Sequence, residues 1–187
     1  TKAETITVAV NSTAGMSLAQ GTSTFTVDPN VTTHLVLVPT PATQTAGVPV
    51  SVSVTAKDAY GNTTPAYTGT IAFGSSDGQA VLPANYTFTG GDAGVHAFNV
   101  TLKTAGVKSV VATDTVTGSI TGTTNLTVTA AAASAATSTL NASPSTIVAD
   151  GSTTSTLTAT INDAYNNPIA GKTVTLANGV RLEVDRD

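Results

Sequence analysis

Several stretches of this sequence alternate strictly between apolar and hydroxylated residues, and that period of two excludes most folds. In PVSVSVTA, Val50, Val52, Val54 and Ala56 fall on one side, while Ser51, Ser53 and Thr55 fall on the other. STLTATI repeats the pattern with Leu157, Ala159 and Ile161, TITVAV with Ile6, Val8 and Val10, and AFNVTL with Phe98, Val100 and Leu102. A strand with one dry and one wet face has this period, and a helix does not. Turn signals at Tyr60-Gly61-Asn62, Asp77-Gly78 and Gly90-Gly91 separate the runs. The Ala-rich residues 130–136 favour helix by propensity but are too few to hold one without packing. The expected fold is all-β.

Composition agrees with that reading. Thr and Ser make up about 29% of the 187 residues, whereas charged residues supply only 10%. Thr is β-branched and suits a pleated, half-exposed surface, so the exterior is expected to be polar but uncharged. A net charge of −4 with seven dispersed Lys and Arg offers no phosphate-tracking stripe, so nucleic acid is excluded as a partner. The chain has no Cys, which removes disulfides and thiolate metal sites. No apolar run approaches a membrane span, and the opening TKAETITVAV alternates rather than resembling a signal peptide.

One corner is spelled twice. KDAYGNTTPAYTGTIAF at 57–73 has a near-copy in NDAYNNPIAGKTVTL at 162–176, with Asp58-Ala59-Tyr60 and Asp163-Ala164-Tyr165 offset by 105. Ala46-Gly47 matches Asp150-Gly151 at an offset of 104, and STFTV ending at Val27 matches TNLTV ending at Val128 at an offset of 101. A period near one hundred residues is the size of an immunoglobulin-like sandwich. The register predicts the last two strands of one copy in residues 1–30 and a complete copy in 31–131. The first strands of a further copy follow in 132–187, with linkers near 28–33 and 130–137. The final NGVRLEVDRD departs from the repeat.

VSVTAKDAYGNTTPAYTGTIAF, with LPANYTFTGGDAGVHAFNVTLKTAG, resembles the bacterial Ig-like repeats of large surface and secreted proteins. STLNASPSTIVADGSTTSTLTATINDAYNNPIAGKTVTL is similar to the subclass found in invasin and intimin stalks. Together these stretches cover most of residues 33–176. The resemblance implies tandem antiparallel Ig-like β-sandwiches, one complete and two partial, in a cell-surface or extracellular protein. It further implies a spacer role, because the receptor site of invasin-like adhesins lies in a terminal domain that nothing here resembles.

Candidate chemistry is sparse. The two His, His34 and His96, lack a nucleophile and orienting group in any recognisable arrangement, so no enzyme is expected. His96 falls in phase with Phe98 and Val100, which places it at the rim of the core. Asp58, Asn62 and Asp163 are candidate Ca²⁺ ligands, since hard cations take oxygen donors from loops, although the dense Asp pattern of a calcium loop is missing. Asn-x-Ser/Thr glycosylation sequons occur at Asn11, Asn30, Asn62, Asn85, Asn99, Asn125 and Asn141. Partial sandwiches at both ends leave unpaired strand edges. The expected partners are therefore neighbouring repeats or copies of the chain itself, joined head-to-tail by strand complementation. RLEVDRD, with Leu182 and Val184 in phase, is a candidate extra strand for such a joint. The alternative is a carbohydrate-binding or accessory domain of a secreted adhesin or hydrolase, with a surface glycan or a host-cell ligand as partner. The absence of Trp and the core-facing phases of Tyr86, Phe88 and Phe98 weigh against sugar stacking.

Overall fold

The computed structural model describes residues 2–10 and 21–175, divided between two compact units that meet at Thr129 and Ala130. The first unit carries ten strands: β1 (Glu4–Val10), β2 (Gly21–Val27), β3 (His34–Thr40), β4 (Thr43–Thr45), β5 (Pro49–Lys57), β6 (Thr70–Ser75), β7 (Tyr86–Thr87), β8 (Val95–Thr101), β9 (Gly106–Asp114) and β10 (Thr121–Thr129). The second carries β11 (Thr139–Ser143) and β12 (Thr156–Thr160). The described helical content is one 3-10 turn at Gly90–Asp92, over the Gly90-Gly91 turn signal. The Ala-rich stretch forms no helix. Leu182 and Val184 lie outside the described residues.

Residues 34–129 form the sandwich. One sheet has the order β3-β5-β8 and the other β4-β10-β9-β6-β7. The alternating faces close on each other: Val50, Val52, Val54 and Ala56 of β5 are buried, as are Leu37, Phe98 and Val100 in the same sheet. Opposite them lie Ile71, Val110, Ala112, Leu126 and Val128, also buried. Ser51 is exposed and Ser53 and Thr55 are half-buried on the outer face of β5. Tyr67 meets Phe88 edge-on at 5.1 Å and Phe73 meets Phe98 edge-on at 4.8 Å, which extends the core towards β7. Half-buried His96 stacks on Tyr86 at 4.1 Å, at the edge of this cluster as its phase predicts.

One pairing departs from the antiparallel expectation. The chain leaves β3 at Pro41 and enters the opposite sheet as β4, which runs parallel to β10 from Thr43↔Thr127 to Thr45↔Thr129. β3 lies at the edge of its sheet and already carries Pro39 opposite Val52, and the second proline at 41 follows directly on its last residue.

The strands outside the sandwich repeat parts of it. β1 and β2 form their own two-stranded sheet, paired from Glu4↔Val27 to Val10↔Gly21. Laid over Gly106↔Val128 to Ala112↔Gly122 of β9 and β10, this ladder places Phe25 on Leu126 and Val8 on Val110. The β11–β12 ladder, Thr139↔Thr160 to Ser143↔Thr156, overlays Val36↔Thr55 to Thr40↔Ser51 and places Leu140 on Leu37 and Leu157 on Val52. The counterparts differ in burial. Phe25 is 52% exposed where Leu126 is 1%, and Leu157 is 50% exposed where Val52 is 0%. Among the described residues, each hairpin has the inward face of a sandwich with no second sheet over it.

Candidate functional site

The repeated Asp-Ala-Tyr sequences form two corners of the same construction. At the first, the Asp58 N–H donates to the Asn62 carbonyl at 3.0 Å and the Gly61 N–H to the Asp58 carbonyl at 3.1 Å. At the second, Asp163 and Asn167, and Asn166 and Asp163, make the same bonds at 3.0 and 3.1 Å. The fourth residue of each corner lies in the left-handed region, at φ 83° for Gly61 and 66° for Asn166. That backbone is open to Gly and tolerated by Asn, which accounts for the one letter by which DAYGN and DAYNN differ.

Both carboxylates are fully buried. Asp58 Oδ1 accepts the N–H groups of Tyr60 and Asn62, each at 2.9 Å. Its Oδ2 accepts the Asn62 side-chain amide and the Asn30 N–H, again at 2.9 Å. Asp163 follows suit, with Tyr165 and Asn167 N–H on Oδ1 at 2.8 and 2.9 Å. The Asn167 amide and the Ala131 N–H bond its Oδ2 at 2.7 and 2.8 Å. Burial acts to raise the Asp58 carboxyl, but the Asn62 amide and the N–H groups of Asn30, Asn62 and Tyr60 outweigh it and hold it well below the usual carboxylate range. Asp163 is lowered by the same contest between burial and hydrogen bonds.

Each corner therefore holds the chain segment that leads into its own module. Sequence reasoning picked out Asp58, Asn62 and Asp163 for these corners, named Asn30 only as a glycosylation sequon, and passed over Ala131 and Asn167. Asn30 and Ala131 contribute only main-chain N–H groups, which leave no mark on side-chain identity. Asn167 had a usable signal in its 105-residue offset from Asn62. The structure places Asp58 and Asn62 together in one corner and Asp163 in the other unit. An ionised carboxylate offers about four lone-pair sites, and in both corners N–H donors take them, where a calcium ion needs them free.

Three further acidic turns are also occupied. Asp77 accepts the N–H groups of Gln79, Lys103 and Thr104 and the Thr104 hydroxyl, Asp92 accepts from Tyr86, Thr89 and His96, and Asp150 accepts from Ser152 and Thr153. A cleft of about 380 Å³ opens between the linker residues Asn30–Thr32 and Thr64, Tyr67 and Asp114. Its polar groups bond one another, Thr32 to Thr64 at 2.7 Å and the Tyr67 hydroxyl to Asp114 at 2.6 Å. Among the described residues no group of three or more His, Asp or Glu is arranged to hold a metal. Of the described sequons, Asn30, Asn85, Asn99, Asn125 and Asn141 are exposed, whereas the Asn62 amide is spent inside the corner. Asn11 lies outside the described residues.

Comparison with known proteins places this architecture. Residues 134–181, which include the second corner, match the family described as invasin, domain 3. Over 176 residues the chain is 34% identical to the inverse autotransporter adhesin YeeJ of Escherichia coli K12, covering 87% of this chain but only 7% of that protein. The crystal structure of invasin, a bacterial integrin-binding protein, shares the fold at a TM-score of 0.50 and 21% identity, over 85% of this chain and 32% of that one. FdeC, an Escherichia coli adhesin, overlaps at a TM-score of 0.47 and 25% identity, over 80% of this chain and 48% of its own. The expectation of a non-enzymatic module agrees with an adhesin as relative. The chain thus resembles the bacterial immunoglobulin-like repeats of invasin-type cell-surface adhesins, and residues 134–181 match one of their domain families.

Proposed function

We propose that these repeats are a stalk segment of such an adhesin, with a mechanical and spatial role. The observation that carries the reading is the duplicated corner, because one module plan with a fixed entry geometry, repeated at about one hundred residues, builds length. The low-charge, hydroxyl-rich surface suits this role, since it discourages strong electrostatic partners. The test is to display arrays with different numbers of this module on a bacterial surface and measure the height of a terminal epitope. Height should rise with each added module. A height independent of module number would sink the reading.

A second reading is favoured by the uncovered hairpin faces. Phe25 and Val8 in the first unit, and Leu140 and Leu157 in the second, occupy positions that the complete sandwich buries. The β1–β2 hairpin corresponds to the last strands of a module and β11–β12 to the first, so copies of the chain meeting head to tail would present each with its complement. Purified chain is then expected to form concentration-dependent polymers, and deletion of residues 1–27 to abolish them. Monomers at high concentration would leave these faces to neighbouring repeats of one polypeptide. Glycan-column retardation tests the carbohydrate alternative.

A further inference from the structure

The first corner grips the β1–β2 hairpin at two points. Asn30 follows β2, and its N–H bonds Asp58 Oδ2 at 2.9 Å. Ala3 precedes β1, and its N–H bonds Asn62 Oδ1 at 2.9 Å. The pair Glu4↔Val27 closes the hairpin between these residues, so the two attachments lie on its two strands, at the base. A single bond there would leave a swivel. Two bonds across the width of the hairpin oppose both twist and bend. Their acceptors are themselves tied, because Asn62 Nδ2 donates to Asp58 Oδ2 at 2.9 Å.

We propose that the Asp-x-x-x-Asn corner is a joint lock through which each module holds the one before it, a proposal that rests on the stalk reading and identifies what keeps the stalk from bending. The lock reads main-chain amides. Every residue except proline carries one, so the corner accepts any preceding module without a matching side chain. The second corner supports this point, since Ala131 donates to Asp163 at 2.8 Å where Asn30 donates to Asp58 at 2.9 Å. Asp58 and Asn62 are thereby positioning residues for the hairpin that precedes their sandwich.

The chain contains no Cys, so spin labels can be introduced singly by Thr24→Cys on β2 and Asn99→Cys on β8, both exposed positions. Double electron–electron resonance on the full chain then reads the hairpin-to-sandwich distance. A narrow distribution is expected. Asn62→Ala removes the acceptor for Ala3 yet leaves Asp58 the N–H groups of Tyr60, Asn62 and Asn30, and should enlarge the released population about fivefold. Asp58→Asn should broaden the distribution further; where it prevents folding, judged by circular dichroism, Asn62→Ala alone decides. A broad distribution in the parent, or variants as narrow as the parent with intact spectra, overturns the lock. The cell-surface height measurement judges the stalk reading separately, so a rigid joint without any gain in height would sink that reading and leave the lock standing.

Discussion

The side chain of Asn62 bonds in two directions, accepting the Ala3 N–H on Oδ1 at 2.9 Å and donating from Nδ2 to Asp58 Oδ2 at 2.9 Å. One amide thus joins a residue 59 positions upstream to the buried carboxylate of its own corner. Only an amide, with its donor and acceptor on one planar group, serves both partners.

That arrangement makes the sequons unequal. N-glycosylation consumes an Nδ2 hydrogen and attaches a bulky sugar. On expression in an N-glycosylating host, Asn85, Asn99, Asn125 and Asn141 are expected to be modified and Asn62 to stay bare. Peptide mass spectrometry checks the pattern, and sugar on Asn62 of folded chain would contradict it.

Acid should weaken the sandwich through Asp77. Burial raises this carboxyl, but the Thr104 hydroxyl and the N–H groups of Thr104, Gln79 and Lys103 outweigh it and bring it from 3.8 to about 2. A folded-state value below the unfolded one gives stability that is present above 3.8 and disappears as pH falls towards 2. Thermal melts over that window should shift downward, and Asp77→Asn should flatten the slope. Asp58, Asp114 and Asp163 are lowered too, so part of the slope persists in that variant.

Gln44 is the converse case. Its amide is buried, and among the described residues neither Oε1 nor Nε2 has a hydrogen-bond partner. Counted from Pro41 and Pro144, the matching residue of the second copy is Ile147. Gln44→Ile should stabilise the sandwich by about 1–3 kcal/mol, by removing an unpaired polar group from an apolar site. Denaturant unfolding would show it as a higher midpoint with an unchanged slope.

Tyr67 should be sensitive for the opposite reason. Its hydroxyl donates to Asp114 at 2.6 Å, and Asp114 also accepts the N–H groups of Val116 and Thr117. Tyr67→Phe removes a bond to a charged acceptor and should cost about 1.5–3 kcal/mol in chemical denaturation. Gly69→Ala should disturb the same pair, because a Cβ there would collide with the Asp114 carboxylate and the Tyr67 ring.

Calcium gives a further discriminating measurement. With N–H donors on the oxygens of Asp58 and Asp163, the melting temperature should be the same with calcium as with a chelator. A rise of several degrees on adding calcium would show that a cation takes these oxygens instead.

Much of the fold was legible because its code is local. The alternation of Val50, Val52 and Val54 fixes which face of β5 is dry, since successive side chains point to opposite sides of a strand. The two corners were visible as Asp-Ala-Tyr, because an aspartate that bonds N–H groups two and four residues ahead keeps its partners within one short window.

The sequence by itself therefore determined the all-β character, the repeat and the place of each corner. Only the tertiary structure decided what the corners hold. Asn30 and Ala3 reach Asp58 and Asn62 across 28 and 59 residues, and do so with backbone N–H groups common to almost every residue. The parallel run of β4 beside β10, and the exposure of Phe25 and Leu157 where their counterparts are buried, belong to the same class. Each depends on which distant segment lies opposite, and a strand's alternation specifies that it has a dry face without specifying what covers it.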